Sequence, residues 1–207
     1  FALSHTYCSN FITSMEISLD TVKILRDKTG VSIMQCRKAL EEAEGDMDKA
    51  EVILKKRSGA AADKKSDRDL GAGAIGSYVH DGVVGAMVLL SSETDFVAKN
   101  EEFVALARAI SMHVAASNPS VLTSEEISEN AKNAAMSIFK EEVKDKPAEM
   151  QEKILEGKMA SYFKDQVLLE QSYIRDESKT IRDLLNEATQ KFGERVEISK
   201  FARFSAR

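Results

Sequence analysis

Cysteine is scarce in this chain: Cys8 and Cys36 are the only two. One lies in an atypical leader and one in a predicted helix, which supplies neither a disulfide framework nor a paired metal motif and points to a reducing, cytoplasmic compartment. Histidine is nearly as sparse. His5, His80 and His113 lie far apart, and none has a second His or Cys at the spacing that sets two ligands on one helix face, so no metal is expected. Long hydrophobic runs are missing as well: charges interrupt every apolar segment before the roughly 20 residues a bilayer span needs. Excess positive charge is the last absence. With 29 basic against 34 acidic residues and a net charge of −5, the chain lacks the basic face of a nucleic-acid binder, and no direct contact with RNA or DNA is expected.

What remains is the composition of a folded protein. A hydrophobic fraction of 43% and a charged fraction of 30% in 207 residues allow one sizeable core or two modest ones. Residues 1–14 carry no Lys or Arg to open a secretory signal and no Arg-rich pattern of a transit peptide. They read as a disordered leader or a foreign remnant before a natural-looking start at Met15.

From 15 to 57 the apolar positions recur at helical spacing in three blocks, Leu19, Val22, Leu25, then Ile33, Cys36, Leu40, then Ala50, Ile53, Leu54. Thr29-Gly30 separates the first two helices, Ser32 with Gln35 reads as a capping box, and Gly45-Asp46 ends the second helix and caps the third. A bundle of this size is marginal alone and suits docking rather than catalysis. Residues 58–70 mix small and charged side chains without a period and read as a linker or a solvated helical extension. The core, 71–207, opens with two strands, Ala74–His80 and Val83–Leu90, around a two-residue Asp81-Gly82 turn. Helices are predicted over about 100–116, 124–143, 148–164 and 179–191, with strands over 167–174 and 195–204. The fold class is α+β: a small three-helix domain followed by a core of antiparallel strands and packed helices.

Three motifs carry chemical meaning. Gly71-Ala72-Gly73-Ala74-Ile75-Gly76 has the letters of a dinucleotide fingerprint, but a charged linker precedes it and a hairpin follows, the reverse of the strand and helix it requires, so it reads as a flexible entry into the first strand. His113 with Asp95 and a serine would suit a small hydrolase, yet no nucleophile context is present; a helix histidine making a structural or interface hydrogen bond is the plainer reading. Phe96 lies between a hairpin and a helix start, beside Glu93 and Asp95. Pattern alone leaves it open whether Phe96 packs under its own helix as a staple or projects toward a partner.

At these residues the chain resembles the elongation factor Ts family: Thr94-Asp95-Phe96-Val97-Ala98-Lys99-Asn100 matches its most recognisable segment. Val22–Gly30, Met34–Leu40 and Gly45-Asp46 match its ubiquitin-associated-like domain, and Met112–Ala116, Lys153–Lys158 and Leu168–Ile174 with Ser178-Lys179-Thr180 follow in family order. The match covers roughly Ile17 to Phe204.

The resemblance implies guanine-nucleotide exchange on the GTPase elongation factor Tu by a protein that is not itself an enzyme. Thr94, Asp95, Phe96 and Val97 would form the exchange wedge, with Phe96 in an apolar pocket and the magnesium and phosphate environment of GDP disturbed. Leu25, Thr29, Gly30, Ile33 and Met34 would dock the first module, and His113 is counted as interface support. No cofactor is implied.

Two departures stand out. The family commonly has Gly-Ala-Gly where this chain has Gly30-Val31-Ser32, which bears on the docking of the first module. Longer members carry two related halves, an inserted helical hairpin and a carboxy-terminal extension, none of which is visible here. Short-form members can compensate by dimerising through the core; a fully active monomer in sedimentation at micromolar concentration would remove that expectation. The competing reading is a protein-binding module that uses the three-helix domain and exchanges nothing.

Overall fold

The computed structural model describes residues 17–144 and 147–206; the expected leader lies outside them. The chain divides between Arg57 and Ser58 into two compact units. In the first, α1 (Leu19–Thr29) starts where the Ser18 hydroxyl accepts the Asp20 amide at 3.1 Å and stops at Gly30, whose φ of 68° few other residues adopt. α2 (Ile33–Glu42) and α3 (Met47–Asp63) complete the unit. Ser32 occupies the N-cap of α2, but its side chain makes no capping bond, so the expected capping box does not form. Gly45 has a φ of 82° and donates its amide to the Leu40 carbonyl at 2.9 Å, and the Asp46 carboxylate accepts the Lys49 amide at 3.1 Å. The breaker and the cap thus act as their types predict. Val22, Leu25, Val31, Cys36, Leu40 and Leu54 form the centre of this unit. Burial pushes the Cys36 thiol up, which makes it a poor nucleophile.

The second unit is built on a three-stranded antiparallel sheet in the order β1 (Ala72–His80), β2 (Val84–Ser92), β5 (Glu197–Ser205). Asp81 and Gly82, with φ of 50° and 70°, make the turn. Val83 donates to the His80 carbonyl at 2.9 Å while His80 pairs with Val84, so Val83 belongs to the turn and not to the strand, one residue more than expected.

One face of the sheet is covered by α5 (Glu101–Ser117), whose Phe103, Ala107, Ile110 and Val114 are buried against Ala86, Val88 and Leu90 of β2 and Ile198 of β5. The close approach is made at Gly76. A Cβ there would lie 2.2 Å from the Ala107 carbonyl carbon and oxygen and 2.5 Å from the Arg108 nitrogen. Gly73 and Gly76 are therefore interior strand residues, not a flexible entry; Gly76 is glycine because a helix backbone occupies the place of its side chain.

Beyond α5, the chain turns at Asn118, left-handed with a φ of 51°, and forms α6 (Glu129–Val143) and α7 (Ala148–Lys164), which pack on one another. Phe139 meets Tyr162 edge to face at 5.6 Å, and Lys158 pairs with Glu142. These are the two helices expected over 124–143 and 148–164, the first starting at Glu129 after a tight helical turn at Ser124–Glu126.

The predicted strand over 167–174 is also corrected. Val167 and Leu168 are buried, residues 168–170 form a tight helical turn, and only Ser172–Tyr173 is strand (β3), paired with β4 (Asp176–Thr180). β4 reads Asp-Glu-Ser-Lys-Thr, too polar to show a strand period. α8 (Ile181–Phe192) follows from a Thr180/Asp183 capping box and ends at Gly193, φ 74°.

Residues 58–63 continue α3, and 64–70 are tied to the second unit: Lys65 Nζ reaches the Thr189 carbonyl at 3.4 Å, and the Arg68 carbonyl accepts from the Arg195 guanidinium at 2.6 Å. On the face of the sheet opposite α5, Ile75, Val79, Met87 and Phe204 are exposed.

Candidate functional site

The turn from β2 into α5 holds a single helical turn, α4 (Asp95–Ala98). Val97 and Ala98 are buried and anchor it, while Phe96 points the other way and is 81% exposed. Of the two readings left open by pattern, staple or projection, the side chain takes projection. An aromatic ring held in water forfeits the 1.5–3 kcal/mol or so that burial would give, so its position is set by its neighbours and not by its own hydrophobicity. Asp95 is also exposed and bonds Lys99 Nζ at 2.6 Å; that hydrogen bond and the ammonium charge hold its carboxyl below the usual range.

The residue before the tip is held at every polar group. The Thr94 amide donates to Glu194 Oε2 at 3.0 Å, its hydroxyl donates to Glu194 Oε1 at 2.6 Å, and its carbonyl accepts from the buried Ser92 hydroxyl at 3.0 Å. Next to it, Glu93 accepts the Arg195 amide at 2.6 Å and an Arg68 guanidinium nitrogen at 3.1 Å, and its carboxyl is lowered mainly by that amide. Lys191 of α8 reaches Glu102 in the first turn of α5 at 2.8 Å. Asn100 caps α5 by accepting the Glu102 amide at 2.9 Å. The tip is thus an exposed apolar ring on a braced base. Sequence reasoning missed Glu194 and Arg195, whose hydrogen bonds reach residues 100 and 102 positions away and leave no local pattern, and it also missed Ser92 and Arg68.

His113 lies elsewhere, wholly buried on α5. The Ile174 amide donates to Nδ1 at 3.4 Å, which makes that nitrogen the acceptor and leaves the proton on Nε2, 2.8 Å from Gln171 Oε1. The ring also tilts on Tyr173 at 6.1 Å between centroids. His113 therefore does not pair with Asp95, which corrects the hydrolase alternative, and it presents no surface to a partner; it braces the β3 segment from inside.

Desolvation holds the His113 pKa below its ordinary 6.5. The unfolded chain then binds a proton that the folded chain refuses as pH falls through that value, so stability is complete above it and declines below it. Melting temperature should drop further from about pH 7.5 to about pH 5.5 in the wild type than in His113→Gln; equal drops would contradict this role.

In the first unit the five expected docking residues separate. Ile33 and Met34 are exposed, and Gly30 shapes the turn beside them. Thr29 is half-buried, its hydroxyl donating to the Leu25 carbonyl at 2.7 Å. Leu25 is 0% exposed, so as a contact residue it is a correction: the helical period had already placed it in the core. Ile24, its exposed neighbour, was missed. Val31 also turns inward, so of the Val31-Ser32 departure only Ser32 alters the surface.

Among the described residues no cluster of His, Cys, Asp or Glu is arranged to hold a metal ion, and no helix is long and apolar enough to cross a membrane. A groove along α6 and α7, lined by Met136, Leu155, Met159 and Phe163, shares no residue with the Phe96 loop.

The model of the family described as Elongation factor TS matches residues 63–207. The chain is 42% identical over 191 residues to elongation factor Ts of Thermotoga neapolitana, covering 92% of this chain and 97% of that protein. It is 44% identical to elongation factor Ts of Thermotoga petrophila and to that of Thermodesulfovibrio yellowstonii, each over 92% of this chain and 96% of the relative. These alignments extend past the family match into the three-helix unit. The chain belongs to the elongation factor Ts family, a family of translation elongation factors.

Proposed function

We propose that the chain is a guanine-nucleotide exchange factor for elongation factor Tu, acting by wedge insertion and without catalytic chemistry of its own. The observation that carries this reading is Phe96, 81% exposed on a turn whose other apolar residues are buried. Entering an apolar pocket of the GTPase would recover about 1.5–3 kcal/mol for the ring, enough to stabilise a displaced element near the magnesium and phosphate site. Asp95 lies beside it as an acceptor that can exchange Lys99 for a donor of the partner.

A second foothold is provided by Ile33 and Met34 with Ile24, exposed apolar side chains on the three-helix unit. The same patch supports the competing reading of a plain docking module. The two differ in linkage, because a factor that weakens GDP binding must itself be weakened by GDP to the same degree. In calorimetric titration the chain should bind nucleotide-free elongation factor Tu more tightly than the GDP form; equal affinities would leave only docking. The apolar outer face of the sheet, with Ile75, Val79, Met87 and Phe204, supports the further reading of a homodimer through the core.

A further inference from the structure

We propose that Glu194 is a positioning residue for the exchange wedge, clamping Thr94 so that Phe96 is presented from a fixed base; the inference rests on the exchange reading above. Thr94 is the N-cap of α4, the place where a threonine hydroxyl normally accepts an amide of its own helix, yet it makes no such bond. Its hydroxyl instead donates to Glu194 Oε1 at 2.6 Å, and its amide donates to Oε2 of the same carboxylate at 3.0 Å. A paired, charge-assisted grip of this kind fixes direction as well as distance.

The grip comes from outside the loop. Glu194 stands between α8 and β5, right after the left-handed Gly193. From the other side the Ser92 hydroxyl holds the Thr94 carbonyl at 3.0 Å. A helix of four residues has almost no cohesion of its own, so without Glu194 its orientation would rest on the buried Val97 and Ala98, the Ser92–Thr94 bond, the ties of Glu93 and the exposed Asp95–Lys99 pair, none of which holds the Thr94 amide or hydroxyl. An exposed ring has no packing to aim it, and a small drift at Thr94 becomes a misplacement at Phe96.

The test compares full-length Glu194→Ala, Phe96→Ala and the double variant, with Glu194→Gln as the conservative control. Maximal stimulated GDP release and half-saturating concentration are read for each. Glu194→Ala should lower the maximal rate at least about fivefold, with a smaller change in half-saturating concentration. Glu194→Gln should recover most of the rate, since its carbonyl keeps the Thr94 amide and its NH2 group can donate to the hydroxyl.

The double variant should be no slower than Phe96→Ala alone, because a clamp that acts through Phe96 then has nothing left to position. In the free protein, amide hydrogen exchange over residues 95–100 should speed up in Glu194→Ala. Full additivity of the two losses, or an unchanged rate in Glu194→Ala, overturns the clamp. A wild-type rate in Phe96→Ala sinks the wedge instead, and amide exchange then decides the clamp by itself: no acceleration overturns it. Should Glu194→Ala fail to fold, Thr94→Val removes one of the two bonds, keeps the amide, and carries the same comparison.

Discussion

Replacing Phe96 by alanine should slow stimulated release of a fluorescent GDP from elongation factor Tu by about tenfold to a hundredfold, with the fold unchanged. The magnitude follows from the side chain. The transfer of a phenylalanine ring from water to an apolar pocket is worth about 1.5–3 kcal/mol, and each 1.4 kcal/mol or so is tenfold in rate if the contact is made only while the nucleotide site is open. The absence of a folding cost follows from exposure: at 81% accessibility the ring has little native packing to lose. Melting temperature should therefore stay within about 2 °C of wild type. Val97→Ala, truncating the buried neighbour, should show the opposite pattern, with loss of stability. Stimulated release at the wild-type rate in Phe96→Ala would remove the wedge.

The largest effect on stability is expected at Gly76. Alanine there would place Cβ 2.2 Å from backbone atoms of Ala107, closer than non-bonded atoms come. The obstacle is helix backbone, which has no rotamer to move aside, so α5 must lift from β1 along the row that buries Phe103, Ala107 and Ile110. A cost of about 3 kcal/mol or more is expected, lowering the melting temperature by roughly 10 °C. Since α5 begins six residues after Asp95, exchange should fall with it. By contrast, Gly82→Asn should change little, because nothing lies within 4 Å of that position and asparagine tolerates its φ of 70°. A wild-type melting temperature for Gly76→Ala would show that the helix and strand do not approach as described.

Periodicity made much of this architecture legible. The three helices of the first unit, the turn at Asp81-Gly82 and the stripe of α5 lie where spacing placed them, because each element buries one face, although Leu19 and Ile33 of the apolar blocks are exposed. Leu25 shows what happens when two lines of inference disagree. Spacing put it in the core with Val22, resemblance put it on the partner, and it is buried. Ile24 next to it has the exposed apolar surface instead.

Other features were illegible for physical reasons. Gly76 belongs to a string that copies a nucleotide fingerprint, and only the crossing helix reveals why glycine is required. The direction of Phe96 depends on which neighbours are anchored: Val97 and Ala98 fill the core and so expel the ring. The grip of Glu194 on Thr94 joins positions that only the folded chain brings together. β4 escaped notice because its residues are all polar and carry no apolar alternation.

The central claim is that this chain opens the nucleotide site of elongation factor Tu and does not merely bind it. Stopped-flow release of a fluorescent GDP from elongation factor Tu, chased with excess unlabelled nucleotide, tests that claim directly. With the wild-type chain well below the GTPase concentration, the account predicts accelerated release that runs to completion, each molecule serving many partners. A release rate that stays at the spontaneous value while the two proteins bind would contradict it.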